Sequence, residues 1–143
     1  MYKMLGIIQK ILLLICLFAC AWIDYRQKKV YLWMLILFGG VGVVLQFLLR
    51  NISIAELAGG VCIGIACLFL SWLTKENIGF GDGAILMMTG VYLGFSENMM
   101  LFMTSLTLVG VTALILVVLK KKKGGDRMPW IPFIFVAYVS LLV

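Results

Sequence analysis

The chain has no histidine, and only 13% of its 143 residues carry charge. Without imidazole, both the commonest nitrogen ligand for zinc and the commonest base for a nucleophilic side chain are missing. The four cysteines, Cys16, Cys20, Cys62 and Cys67, stand inside apolar runs and read as small buried hydrophobes. No metal and no cofactor are expected. A soluble composition is also missing: 64% of the residues are hydrophobic and the mean hydropathy is +1.16, against roughly 45–50% apolar and 25% charged in soluble domains. The composition implies an integral membrane protein, with one transmembrane domain over residues 1–143 and no separate soluble domain.

The apolar runs predict an all-α bundle in lipid. The first, Leu5 to Ile23, exceeds the roughly 7–15 residues of a signal-peptide core and has no small-x-small cleavage site before a polar domain. It reads as a retained helix. At about 20 residues per span, helices are predicted near 5–23, 30–49, 54–73, 83–95, 99–119 and 128–143, about six in all. The fourth is short, so the stretch from Ile78 adds depth or the bilayer thins there.

Lys and Arg concentrate in cytoplasmic loops. Arg26, Lys28, Lys29, Lys75, Lys120, Lys121, Lys122, Lys123 and Arg127 fall on one side, and Lys3, Lys10 and Arg50 on the other. Both termini are therefore expected outside, in a multi-pass protein of the cell membrane. Trp22, Tyr25, Tyr31, Trp33, Trp72 and Trp130 are expected as interfacial aromatics near the cytoplasmic ends. The run Lys120 to Lys123 reads as a topology signal with affinity for anionic headgroups. Its short loop makes it a poor nucleic-acid patch, and the bilayer is the expected partner. Gly60 with Gly64, and Gly90 with Gly94, have the spacing of close helix contacts, as do Gly39, Gly40 and Gly42.

Six acidic residues remain: Asp24, Glu56, Glu76, Asp82, Glu97 and Asp126. Solvated interface charge suffices for Glu56, Glu97 and Asp126, and Glu76 beside Lys75 is ambiguous. Asp24, after helix 1, and Asp82, before helix 4, emerge by the loop count at the same cytoplasmic face. Asp82 is enclosed by Gly79, Gly81 and Gly83, which let another backbone approach its carboxylate. A plainer role is open to each: Asp82 as a helix N-cap, Asp24 as part of a polar turn. Two carboxylates within reach of each other share a proton. One then acts as general base on water and the other as general acid, a division of labour for peptide hydrolysis that requires no histidine, metal or serine.

Three places in the chain carry a resemblance: Asp24 followed by a basic loop, Gly79-Phe80-Gly81-Asp82 leading into a helix with Gly90 and Gly94, and Ile131-Pro132-Phe133 opening the last helix. In order and spacing the chain resembles the type IV prepilin peptidase family, membrane aspartic peptidases with a Gly-x-Gly-Asp motif that are similar to preflagellin peptidases. The resemblance implies Asp24 and Asp82 as the catalytic pair, with Gly79, Phe80 and Gly81 at the substrate approach. It implies cleavage of the basic leader of prepilin-like proteins at the cytoplasmic membrane face. Peptidase activity without methyltransferase activity is expected, since the chain opens directly on its first helix.

The chain departs from the family pattern in places. Val30, Tyr31 and Leu32 stand where Ile-Pro-Asn is frequent, Gly83 and Ala84 where a hydrophobic residue and lysine are common, and Phe135 where a later proline occurs. Two other functional classes fit the same charges. A proton- or cation-coupled transporter would hold its carboxylates near the bilayer midplane, and a scaffold subunit would use the aspartates as caps.

Overall fold

The computed structural model describes residues 2–27, 29–49, 52–74, 79–119 and 129–143. Lys28, Arg50, Lys75, Glu76, Ile78, Lys120 to Lys123, Asp126, Arg127 and Met128 lie outside the described residues. Among the described residues every regular element is a helix: α1 Tyr2–Gln27, α2 Leu32–Leu49, α3 Ile54–Leu73, α4 Phe80–Val118 and α5 Ile131–Leu142. By length and composition four of them, α1 to α4, can cross a membrane, and α5 is a shorter apolar helix.

The first helix runs past its expected end at 23. No glycine or proline interrupts Asp24 to Gln27, and Arg26 in the last turn complements the helix dipole. Asp24 is thus part of α1 and not of a polar turn. The Tyr31 hydroxyl donates to Gln27 Oε1 at 3.0 Å, tying the helix end to the segment that leads into α2. That segment lacks a proline yet stays non-helical at Lys29 to Tyr31, so α2 starts at Leu32 instead of residue 30.

At 39 residues, α4 would be about 58 Å long if straight, nearly two hydrocarbon thicknesses. It is broken at Gly94, whose φ of 74° and ψ of −172° suit a residue without a side chain. Leu86 and Asn98 would stand about 18 Å apart along one continuous helix. Instead Asn98 Nδ2 donates to the Leu86 carbonyl at 3.0 Å, so the chain doubles back. The helices predicted at 83–95 and 99–119 correspond to the two arms.

A break in a membrane helix frees backbone groups that lipid cannot satisfy. Three other helices do so here. Gln9 of α1 donates to the Tyr92 carbonyl at 3.0 Å, and Gln46 of α2 donates to the carbonyls of Val91 at 3.2 Å and Tyr92 at 3.0 Å. On the other side of the break, the Glu56 carboxylate of α3 accepts from the backbone N–H of Phe95 at 3.0 Å and of Ser96 at 3.4 Å. Glu56 is therefore a cap for the second arm, not merely a solvated interface charge. Asn98, wholly buried, also donates to the Gly60 carbonyl at 3.1 Å and accepts from the Thr89 hydroxyl at 2.7 Å.

Helices α3 and α4 pack backbone against backbone. A Cβ on Gly60 would lie 2.5 Å from the Gly90 carbonyl oxygen, and one on Gly64 would run into Met87. Gly60, Gly64 and Gly90 are contact residues as their spacing suggests. Of the α2 glycines, Gly42 is the tight one, beneath the Tyr92 ring, and Gly40 faces open space.

The first arm of α4 is buried on most sides. Its Ile85, Met88 and Tyr92 join Leu13, Cys16 and Leu17 of α1, and Ile134, Ala137 and Tyr138 of α5, in one core. Pro132 sits in the first turn of α5, where its missing N–H costs nothing. Phe135 sets its ring edge on Phe18 with centroids 5.6 Å apart. Trp130 is partly buried beside Phe102, whereas Trp22, Tyr25, Tyr31, Trp33 and Trp72 are exposed. Cys16, Cys20 and Cys67 are buried, but Cys62 is exposed, contrary to expectation.

Gly90→Leu should force α3 and α4 apart and cost about 1–3 kcal/mol, read as a lower melting temperature in detergent. Gly40→Ala should not lower the melting temperature, because nothing lies within 4 Å of that site and alanine favours a helix interior over glycine. Glu56→Ala should cost about 1 kcal/mol, as loss of a helix cap does. Faster hydrogen exchange at the amides of Phe95 and Ser96 would locate that loss at the break.

Candidate active site

The buried face of α1 is a stripe at helical spacing: Gln9, Leu13, Cys16, Leu17, Cys20, Ala21 and Asp24. Asp24 continues this stripe one turn from the helix end and is only 8% exposed. A carboxylate there faces the other helices, not the solvent or the lipid.

Asp82 lies in the first turn of α4, but it is not the cap. Gly79 holds the N-cap position, with no side-chain hydrogen bond of its own. The Asp82 N–H donates to the Gly79 carbonyl at 3.1 Å, which makes Asp82 the third helical residue. Its carboxylate leans back over Gly79, where a Cβ would lie 2.7 Å from Oδ2. The dipole of the first arm favours a negative charge at this end. Asp82 is half-buried, while Gly79 and Phe80 are exposed.

The glycines of the motif have separate surroundings. A Cβ on Gly81 would collide with Val30, so the segment entering α2 lies directly against the motif. Gly83 packs on Leu68 of α3. Gly79 alone of the three is exposed beside the carboxylate.

Helices α1 and the first arm of α4 run antiparallel in a register visible at three levels. Gln9 bonds to Tyr92, the Cys16 thiol lies 3.6 Å from the Met88 sulfur, and the Asp24 carboxylate is within electrostatic range of Asp82. The two aspartates, 58 positions apart in the chain, thus share one end of the bundle. Cys20 is within the same range of Asp24, and Cys67 of Asp82. The register that sets Gly60 beside Gly90 and Gly64 beside Met87 puts the buried Ser71 level with Phe80. The exposed rings of Trp22, Tyr25, Tyr31, Trp33 and Trp72 belong to the helix ends around this site, and the Arg26 guanidinium lies 5.3 Å from the centre of the Trp22 ring.

Sequence reasoning picked out Asp24, Gly79, Phe80, Gly81 and Asp82, and all of them stand at this end. It missed Val30, Cys20, Cys67 and Ser71. The spacing of Cys20 to Asp24, one turn apart on the α1 stripe, was a readable signal for the first thiol. Nothing local marks Val30, whose place is set by packing alone.

The chain matches no curated protein and no solved structure. A family model for the type IV leader peptidase family matches residues 11–118, a span that holds Asp24 and the whole Gly79–Asp82 motif but stops before α5. This multi-helix membrane protein belongs to the type IV leader peptidase family, a family of peptidases.

Proposed function

We propose that the protein is a membrane-embedded aspartic endopeptidase that removes the basic leader of type IV prepilin-like proteins at the cytoplasmic membrane face. The observation that carries this reading is the convergence of Asp24 and Asp82, from distant parts of the chain, at one end of the bundle and within electrostatic range. Family membership supports the reaction class.

One carboxylate of the pair takes a proton from water, and the resulting hydroxide adds to the scissile carbonyl. The other, carrying a proton, hydrogen-bonds to that carbonyl oxygen and later protonates the departing amine. The exposed backbone at Gly79 is the side on which an extended peptide meets the carboxylates. Gly81 serves the site differently: it lets the Val30 segment close against the motif and so supports Asp82 from beside.

The alternatives fit less well. Asp24 stands one turn from the end of α1 and Asp82 in the first turn of α4, whereas a coupling site for transport is expected near the midplane. A purely structural role as N-cap is weakened for Asp82, because Gly79 occupies that position.

Asp24→Asn and Asp82→Asn, purified in detergent and offered a substrate with a basic leader, a glycine and a hydrophobic helix, should each lose about 10²-fold or more in cleavage rate. Their melting temperatures should stay close to the parent's. A variant that cleaves at the parent rate rules out the pair. The proposed topology has six crossings with both ends outside, in keeping with the side that holds nine of the 12 Lys and Arg residues. An alkaline phosphatase fused after Val143 should therefore be active. An inactive fusion, with cytoplasmic activity of a β-galactosidase fused at the same point, reverses the orientation.

A further inference from the structure

Three sulfur atoms meet in the core between α1 and the first arm of α4. The Cys16 thiol points at the Met88 sulfur, 3.6 Å away. Cys20, one turn further along the same face of α1, shares a hydrogen bond with the Cys16 thiol. All three side chains are deeply buried, with exposures of 1% for Cys16, 3% for Cys20 and 3% for Met88. Packing explains three apolar side chains here, but not why the atoms that face one another are all sulfur.

The spacing favours a bridging ion over a disulfide. Residues four apart on a helix hold their Cβ atoms about 5–6 Å from each other, whereas a disulfide needs about 3.5–4.5 Å. Sulfurs placed trigonally around a metal at about 2.3 Å stand about 4 Å apart, close to the Cys16–Met88 spacing. Donor chemistry then selects the ion. Among the described residues no third cysteine, aspartate or glutamate joins the two cysteines in a metal-binding group, so the third donor is the Met88 thioether. A closed zinc site takes four ligands, usually thiolate or imidazole, and the chain has no histidine. Thiolates with a thioether suit a soft ion, Cu(I) above all.

We infer that Cys16, Cys20 and Met88 form a trigonal binding site for Cu(I). Each coordinating thiol gives up its proton to the solvent, so the monovalent ion with two thiolates and a neutral thioether buries one net negative charge. A third thiolate would bury two. Cys20 and then Asp24 continue the α1 stripe toward the aspartate end, which is therefore the side from which the ion enters. The inference assigns no catalytic role to either aspartate and stands apart from the peptidase reading.

The test is an anaerobic titration of the full chain, reduced and purified in detergent, against Cu(I) held by the coloured chelator bicinchoninate. The protein should withdraw one equivalent of Cu(I), and X-ray absorption of the complex should show three sulfurs at about 2.3 Å. Cys16→Ser and Cys20→Ser should each lower the affinity at least tenfold, whereas Cys62→Ser should not change it. Met88→Leu conserves volume and so keeps the packing; it should bind more weakly and show two sulfurs in place of three. Failure to compete for Cu(I), an affinity within tenfold of the parent's in Cys16→Ser or Cys20→Ser, a three-sulfur shell that survives Met88→Leu, or tighter binding of Zn(II) than of Cu(I) each overturns the site.

Discussion

A helix that breaks inside lipid leaves carbonyls and amides with no water to receive them, and that constraint organises this bundle. Gly94 makes the break. Gln9, Gln46 and Glu56, one from each of the first three helices, satisfy the groups it frees. Three helices are thereby pinned to one point on the fourth. Hydrophobic burial supplies little force between helices when the alternative is lipid, so these bonds and the glycine contacts carry much of the assembly.

The same pinning sets the far end of the molecule. With Gln9 held at Tyr92 and Cys16 against Met88, α1 and the first arm of α4 have one antiparallel register left. That register delivers Asp24 to the neighbourhood of Asp82. The α3 glycines fix the third wall at Gly60 and Gly64 and bring Cys67 and Ser71 toward the same end. Polar residues in this oily chain thus divide by place: those at the break hold the helices together, and Asp24 and Asp82 stand at the other end.

Much of this was legible in the sequence because lipid simplifies the rules. Length and apolarity locate the helices to within a few residues, and the Gly-x-Gly-Asp motif with a second aspartate singles out two carboxylates that the fold brings to one end. The misses have physical causes. The helix runs past the expected end at residue 23 because polarity alone does not stop a helix, and nothing in Asp24 to Gln27 breaks one. The capping role of Glu56 is invisible in the sequence because its partners, Phe95 and Ser96, are 39 and 40 positions away and are backbone groups.

The sequence by itself determined that the chain is a helical membrane protein and which carboxylates merit attention, since hydrophobic run length and the rarity of charge are local properties that lipid enforces directly. Only the tertiary structure decided that Gly79 and not Asp82 caps α4, that Val30 lies against Gly81, and that Asp24 and Asp82 share one end of the bundle. Those facts depend on helix register, and register comes from hydrogen bonds and backbone contacts between residues far apart in the chain.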